Sequence, residues 1–308
     1  MANVTIASDL LRLTVRPDLG AGIADFSVKG PLKWWYPLMR RSAHDETSPS
    51  LLGCFNMAPW ANRIASAQFA FNAETIKLRP TSDDGSAMHG DVRARAFAIL
   101  DRSPVSARFA FDSKAAANLN WPWSFQVISR YEIDGPTLII ALEVINTDSK
   151  PMPAGCGIHP YFMRELWAAG ENPLLTAPVA AEYPLLKGVP TGPATPTDRS
   201  RALAAEAPLS TKAIDTVFGG FGGKATLRWP GSNVTLTMQA STNQQHLVLF
   251  TPTIPGTDKP LSFFALEPQS MANDGFNLAA NGADNSGMVI LQPGQRLFTE
   301  TRLTVNIG

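Results

Sequence analysis

Five stretches of this chain each set one ionisable side chain among glycine, proline or apolar neighbours, a pattern that ordinary surface charge does not produce. The most developed is Gly155-Cys156-Gly157-Ile158-His159-Pro160-Tyr161-Phe162. Small residues let the backbone approach a neighbour closely, Pro160 fixes φ, and two rings close the far side, which predicts an imidazole on a stiffened turn beside an apolar wall. Histidine has an unperturbed pKa of about 6.5, so a rigidly held His159 is a candidate acid or base near neutrality. The same pattern also suits a core histidine satisfied by a backbone carbonyl. The other four stretches are Pro59-Trp60-Ala61-Asn62-Arg63-Ile64, Met88-His89-Gly90, Ala213-Ile214-Asp215 and Phe264-Ala265-Leu266-Glu267-Pro268. His89 arrives from the polar loop Thr81 to Ser86 and precedes a glycine, which suits close approach to a ligand as well as it suits a plain loop.

The elements that must position these residues read as strands. Period-two alternation marks Leu10 to Arg16, Ile23 to Val28, Gln68 to Leu78, Ala96 to Leu100, Ala107 to Phe111, Phe125 to Ile133 and Thr137 to Val144, the last two joined by the hairpin signal Asp134-Gly135. Val234 to Met238, His246 to Phe250, Leu261 to Leu266, Met288 to Leu291 and Leu297 to Val305 continue the series. Helical periodicity is nearly absent, with Thr197 to Glu206 the one short helix expected. Gly219-Gly220-Phe221-Gly222-Gly223-Lys224 lacks phosphate-loop spacing and is read as a glycine-rich hairpin. The expectation is an all-β chain, a large antiparallel β-sandwich with few short helices, in which residues 1–308 form a single domain.

Composition narrows the partners. Lys plus Arg and Asp plus Glu number 26 each, so no net field draws nucleic acid or an anionic membrane, and a neutral small molecule is the easier partner. With 44% hydrophobic and 17% charged residues there is ample material for a core. Cys54 and Cys156 form no metal-binding spacing and are read as reduced, buried thiols. No secretory leader and no long apolar run appear, which points to a soluble, cytoplasmic protein.

In order along the chain, Pro59-Trp60-Ala61-Asn62-Arg63-Ile64, Met88-His89-Gly90, Gly157 to Phe162, Ile214-Asp215 and Leu266-Glu267-Pro268 resemble the signature stretches of the aldose 1-epimerase (galactose mutarotase) family. The resemblance extends to the final Leu291-Gln292-Pro293-Gly294 turn, essentially the whole chain. It implies a β-supersandwich with a sugar cleft, no metal or organic cofactor, a monosaccharide as partner and a monomer or homodimer. By similarity Glu267 is the general base at the anomeric hydroxyl and His159 the general acid at the ring oxygen, while His89, Arg63, Asn62 and Asp215 hold the sugar's hydroxyls and ring oxygen. The segments Ala67 to Asn72 and Asp91 to Arg95 depart from the usual family forms. Val248 lies on a strand where some relatives carry a glutamine that touches the sugar.

Ring opening at an anomeric carbon needs one proton removed from the C1 hydroxyl and one delivered to the ring oxygen, which a carboxylate and an imidazole can supply. Arg63 and His89 suit oxygen lone pairs and Asp215 accepts from hydroxyls, although Arg63 also suits a structural salt bridge. Trp60, Trp121, Tyr161 and Phe162 could face a sugar's C–H surface or fill the core. The resulting function is interconversion of the α and β anomers of a free aldose such as galactose or glucose. The alternatives are a noncatalytic carbohydrate-binding sandwich and an epimerase acting on a hexose phosphate, the latter requiring several basic side chains of which Arg63, Arg93 and Arg95 are the candidates.

Overall fold

The computed structural model describes residues 2–308. Its chain forms two large antiparallel sheets, of ten and nine strands, that share one buried apolar cluster running from Val4 to Val305. Alternation explains the nine-stranded sheet: Phe125–Asp134 buries every second side chain, and Gly135, at φ +55°, turns it into Thr137–Asn146. From Ala98 to Asn146 each strand pairs with the next, the meander expected, and Arg296–Ile307 closes against Thr137–Asn146.

Five strands of the other sheet concern function. They are β1 (Cys54–Met57), β2 (Gly157–Met163), β3 (Ile214–Gly219), β4 (His246–Thr251) and β5 (Phe263–Gln269). Their spatial order is β1-β2-β5-β4-β3. Strands β2, β4 and β5 are almost wholly buried, so their apolar residues do not alternate with polar ones.

Two expectations need correction. His159 sits in the middle of strand β2 and not on a turn. Pro160 is accommodated there because extended backbone matches its fixed φ and its missing N–H falls within the stretch of β2 that makes no paired contact with β5. The glycine-rich segment at 219–223 is a crossover between sheets and not a hairpin, since β3 and Lys224–Trp229 belong to different sheets. A second short helix, Gly275–Ala280, accompanies the expected Asp198–Ala202, which Thr197 caps in a capping box with Ser200. Six residues are too few to show a helical period.

The two sheets are also joined by polar contacts. Asn56 of β1 donates to the Gly20 carbonyl at 3.0 Å, to Ser129 Oγ at 3.3 Å and to Tyr131 Oη at 3.2 Å, while the Tyr131 hydroxyl donates to the Ala21 carbonyl at 2.6 Å. All of these side chains are essentially sealed from water. A buried polar group deprived of its partner loses stability by about 1 to 3 kcal/mol. Tyr131→Phe should therefore lower unfolding stability by that amount in a urea melt, and a variant as stable as wild type would show that the Ala21 carbonyl finds another donor.

Candidate active site

Strand register assembles the centre of the site. Pairing of β2 with β5 runs from Gly157 opposite Gln269 to Met163 opposite Phe263, which sets His159 beside Glu267. On the other flank of β2, His159 pairs with Phe55 of β1, and Glu267 pairs with Val248 of β4, which pairs with Val217 of β3. A second row on the same face, two residues along, holds Tyr161, Ala265, Phe250 and Asp215. His159 Nε2 lies 3.1 Å from Glu267 Oε1, and the two residues are only 4% and 1% exposed.

Loops bring the rest. Arg63-Ile64 pairs with Ala87-Met88, and the His89 N–H donates to the Asn62 carbonyl at 2.6 Å. Asn62 and His89 both adopt left-handed backbone, φ +51° and +63°, a conformation that non-glycine residues hold only where their surroundings enforce it. Gly90 follows at φ +75° with its α-carbon so close to Ala58 that an added Cβ would stand 2.3 Å from that residue's carbonyl oxygen. The glycine is thus what lets the His89 loop lie down on the sheet.

Together these elements enclose a cavity of about 180 Å³ lined by Asn62, Arg63, Met88, His89, His159 and Glu267 with Tyr161, Phe250 and Asp215. All six residues singled out from the sequence face one space. That space falls below the roughly 300 to 1,000 Å³ of drug-sized ligand pockets, so it suits a small polar molecule. It opens toward solvent at Asp215, which is exposed on the rim. Of the aromatic candidates only Tyr161 reaches the cavity; Trp60 and Trp121 stack 5.3 Å apart within the core, and Phe162 is buried there too. Val248 is buried against Tyr183, Val217 and Ala272 and offers no polar contact.

Two contributors escaped sequence reasoning. Phe250 forms part of the wall, and Gln269 donates from Nε2 to Glu267 Oε2 at 3.0 Å, fixing the carboxyl's second oxygen. Their signal was parity: each lies two residues from a position on the site face, Phe250 from Val248 and Gln269 from Glu267. Arg63 is ion-paired with Asp84 at 2.5 Å, so the salt-bridge alternative holds while its side chain still borders the cavity.

Burial governs the electrostatics. Removal from water, then the nearby Asp215 carboxylate, push Glu267 well above the usual carboxylate range, against the contrary pull of the Gln269 hydrogen bond. Burial likewise lowers His159 to about 3 and holds His89 well below the ordinary histidine range, with His159, Arg93 and Arg63 adding to the effect on His89. Desolvation raises Asp215 as well, although Arg63 opposes it and its exposure to water limits the shift. His159 Nδ1 has no hydrogen-bond partner, so nothing behind the ring fixes its tautomer. Burial thus disfavours the charged form of both groups, holding the imidazole's pKa down and the carboxyl's up.

This arrangement has a sign that can be measured. A carboxyl titrating higher folded than unfolded keeps an extra proton in the folded state, so its contribution is intact below the ordinary value of 4.5 and is lost as pH rises through the folded pKa. His159 acts oppositely, because with a folded pKa of about 3 the unfolded chain takes up its proton first as pH drops below 6.5. Glu267→Gln removes only the first contribution. The variant should be more stable than wild type by about 1 to 3 kcal/mol at pH 8, with the gap closing toward pH 4 in chemical denaturation. A gap that does not change with pH would contradict the buried-carboxyl account.

Comparison with known proteins gives one family. The family model described as "Aldose 1-epimerase" matches residues 3–304. The uncharacterized protein YphB of Escherichia coli K12 is 23% identical over 272 residues, covering 82% of this chain and 83% of that protein. Among solved structures, a galactose mutarotase-like protein from Clostridium acetobutylicum superposes with a TM-score of 0.85 at 18% identity, over 99% of this chain and 95% of that one. The GalM/aldose epimerase homologue of C. elegans does so at 0.83 and 17%, over 100% and 99%. These structural likenesses carry the fold.

Proposed function

Because the chain belongs to the aldose 1-epimerase family, we propose that its cavity interconverts the α and β anomers of an aldose by acid–base opening and reclosure of the ring. The observation that carries this reading is the 3.1 Å contact between His159 and Glu267 at the floor of a small polar cavity. The anomeric hydroxyl and the ring oxygen share one carbon, so the base and the acid that serve them must stand within a few ångströms of each other. The two side chains meet that requirement.

Glu267 takes the proton of the C1 hydroxyl and His159 delivers one to the ring oxygen; after rotation about C1–C2 they exchange roles for closure. A working state of carboxylate and imidazolium holds the same number of protons as the carboxylic acid and neutral imidazole that burial favours. It is reached by moving one proton along the His159–Glu267 contact, and a sugar's polar groups inserted there would favour the charged form by replacing lost hydration. A base whose pKa is raised toward neutrality is also a stronger base than an ordinary carboxylate. Asn62, Arg63, His89 and Asp215 offer donors and acceptors to the remaining hydroxyls, and Tyr161 and Phe250 offer rings to the C–H face. The reaction consists of proton transfers, so the reading includes no cofactor.

Each positioned acid or base typically contributes about 10²- to 10⁴-fold. Glu267→Gln and His159→Asn are expected to lower kcat for glucose or galactose mutarotation by that factor in polarimetry, with circular dichroism unchanged. Wild-type rates in either variant would overturn the assignment. Sugar binding by calorimetry with no acceleration in the wild-type protein would instead identify a binding module.

A further inference from the structure

Arg63 and Arg95 are both neutralised, by Asp84 and Asp91 respectively. Two other arginines beside the cavity are not. Arg40 donates its backbone N–H to the Tyr161 carbonyl at 2.8 Å, which sets it next to strand β2. Its guanidinium stands 4.0 Å over the Tyr161 ring and 4.6 Å over the Phe263 ring. Arg93 lies 5.8 Å over Phe55, whose ring in turn is 4.5 Å from that of His159 and 5.3 Å from that of His89. Both guanidiniums converge on one residue: Arg40 Nη2 donates to the Ser50 and Leu52 carbonyls at 2.5 and 2.7 Å, and Arg93 Nη1 donates to Ser50 Oγ at 3.2 Å.

Neither side chain has a carboxylate within ion-pairing distance among the described residues, and the Arg40 Nε is buried with no partner at all. Arg93 spends one of its five N–H donors on protein. Two half-buried like charges brought together around Ser50 repel each other, and burial further disfavours both cations. Such groups are ordinarily paired, so an uncompensated pair beside a ligand cavity calls for an anion from outside. Asp215 and Glu267, the acidic groups of the cavity, do not supply it, since neither forms an ion pair with either arginine.

We propose that Arg40 and Arg93 form an anion-binding pole at the Tyr161 end of the cavity, so that the aldose turned over carries an anionic substituent, a phosphate ester or a carboxylate. The proposal rests on the epimerase reading above and narrows its substrate class. It also accounts for the aromatic layer of Tyr161 and Phe55, which holds the two cations by their faces, with Arg40 Nε left unpartnered and four of the five Arg93 N–H donors not spent on protein.

The test compares mutarotation of glucose, glucose 6-phosphate and glucuronate by NMR exchange, with wild type, Arg40→Gln and Arg93→Gln, at 50 and 500 mM salt. At least one anionic sugar should exceed glucose in kcat/KM by about 10- to 100-fold, the worth of a charge-assisted hydrogen bond. That ratio should shrink in both variants and at high salt. Preference for the phosphate or for the carboxylate identifies the anion, and either upholds the pole. Glucose turned over as well as both acids overturns the pole and leaves the epimerase reading standing. If no sugar is turned over, the epimerase reading fails, and calorimetry of the same sugars decides the pole separately: tighter binding of an acidic sugar, weakened in Arg93→Gln, upholds it, and equal binding overturns it. Should either variant fail to fold, the wild-type comparison and its salt dependence decide alone.

Discussion

The site depends on one contact, a carboxyl and an imidazole held side by side out of water on two neighbouring strands. A surface pair of long side chains would cost entropy to hold in one geometry, but here the pairing of His159 with Phe55 and of Glu267 with Val248, with β2–β5 pairs on either side, fixes both α-carbons and packing fixes the rest. Placing a titratable pair in so dry a position is unfavourable for folding. The surrounding core offsets it: Leu247, Leu249, Phe264 and Leu266 from the neighbouring strands are all buried on the sandwich side of the sheet. Stability gained on one face of the sheet thus supports a destabilising arrangement on the other.

The cavity's roof is built differently from its floor. Floor residues come from regular strands, whereas Asn62 and His89 come from loops in left-handed backbone, braced by one short ladder and by the close approach of Gly90 to Ala58. Asp274 ties this roof to the C-terminal part of the chain, since its N–H donates to the Arg63 carbonyl at 2.7 Å and its carboxylate accepts from the Ala65 N–H at 2.9 Å. Residues more than 200 positions apart therefore set the height of the cavity.

Much of this was legible in the chain. Alternation revealed most strands, and the Asp134-Gly135 hairpin fell where its turn chemistry placed it, because such signals are local. The isolated ionisable residues at 63, 89, 159, 215 and 267 do meet in one cavity, and the apolar settings of His159 and Glu267 reflect real burial. What stayed hidden depends on distant pairing. His159 looked like a turn residue because glycine and proline flank it, and only the register with Phe55 and Gln269 reveals a strand. The glycine-rich segment after β3 gives no local sign that the chain there changes sheets. Arg40 and Arg93 are ordinary basic residues until the packing against Tyr161 and Phe55 is known.

The strands at the heart of the molecule keep two sets of books by parity. On β2, residues 159 and 161 meet the cavity while 158, 160 and 162 point the other way, and β5 repeats the division with 265 and 267 against 264, 266 and 268. Adjacent positions in the chain thus answer to different selective pressures. An odd-numbered change here can retune what is recognised while the cohesion of the sandwich stays intact, and an even-numbered one can alter cohesion without touching the ligand. A framework divided in this way lets the residues around the cavity change while the sandwich that carries them keeps its packing.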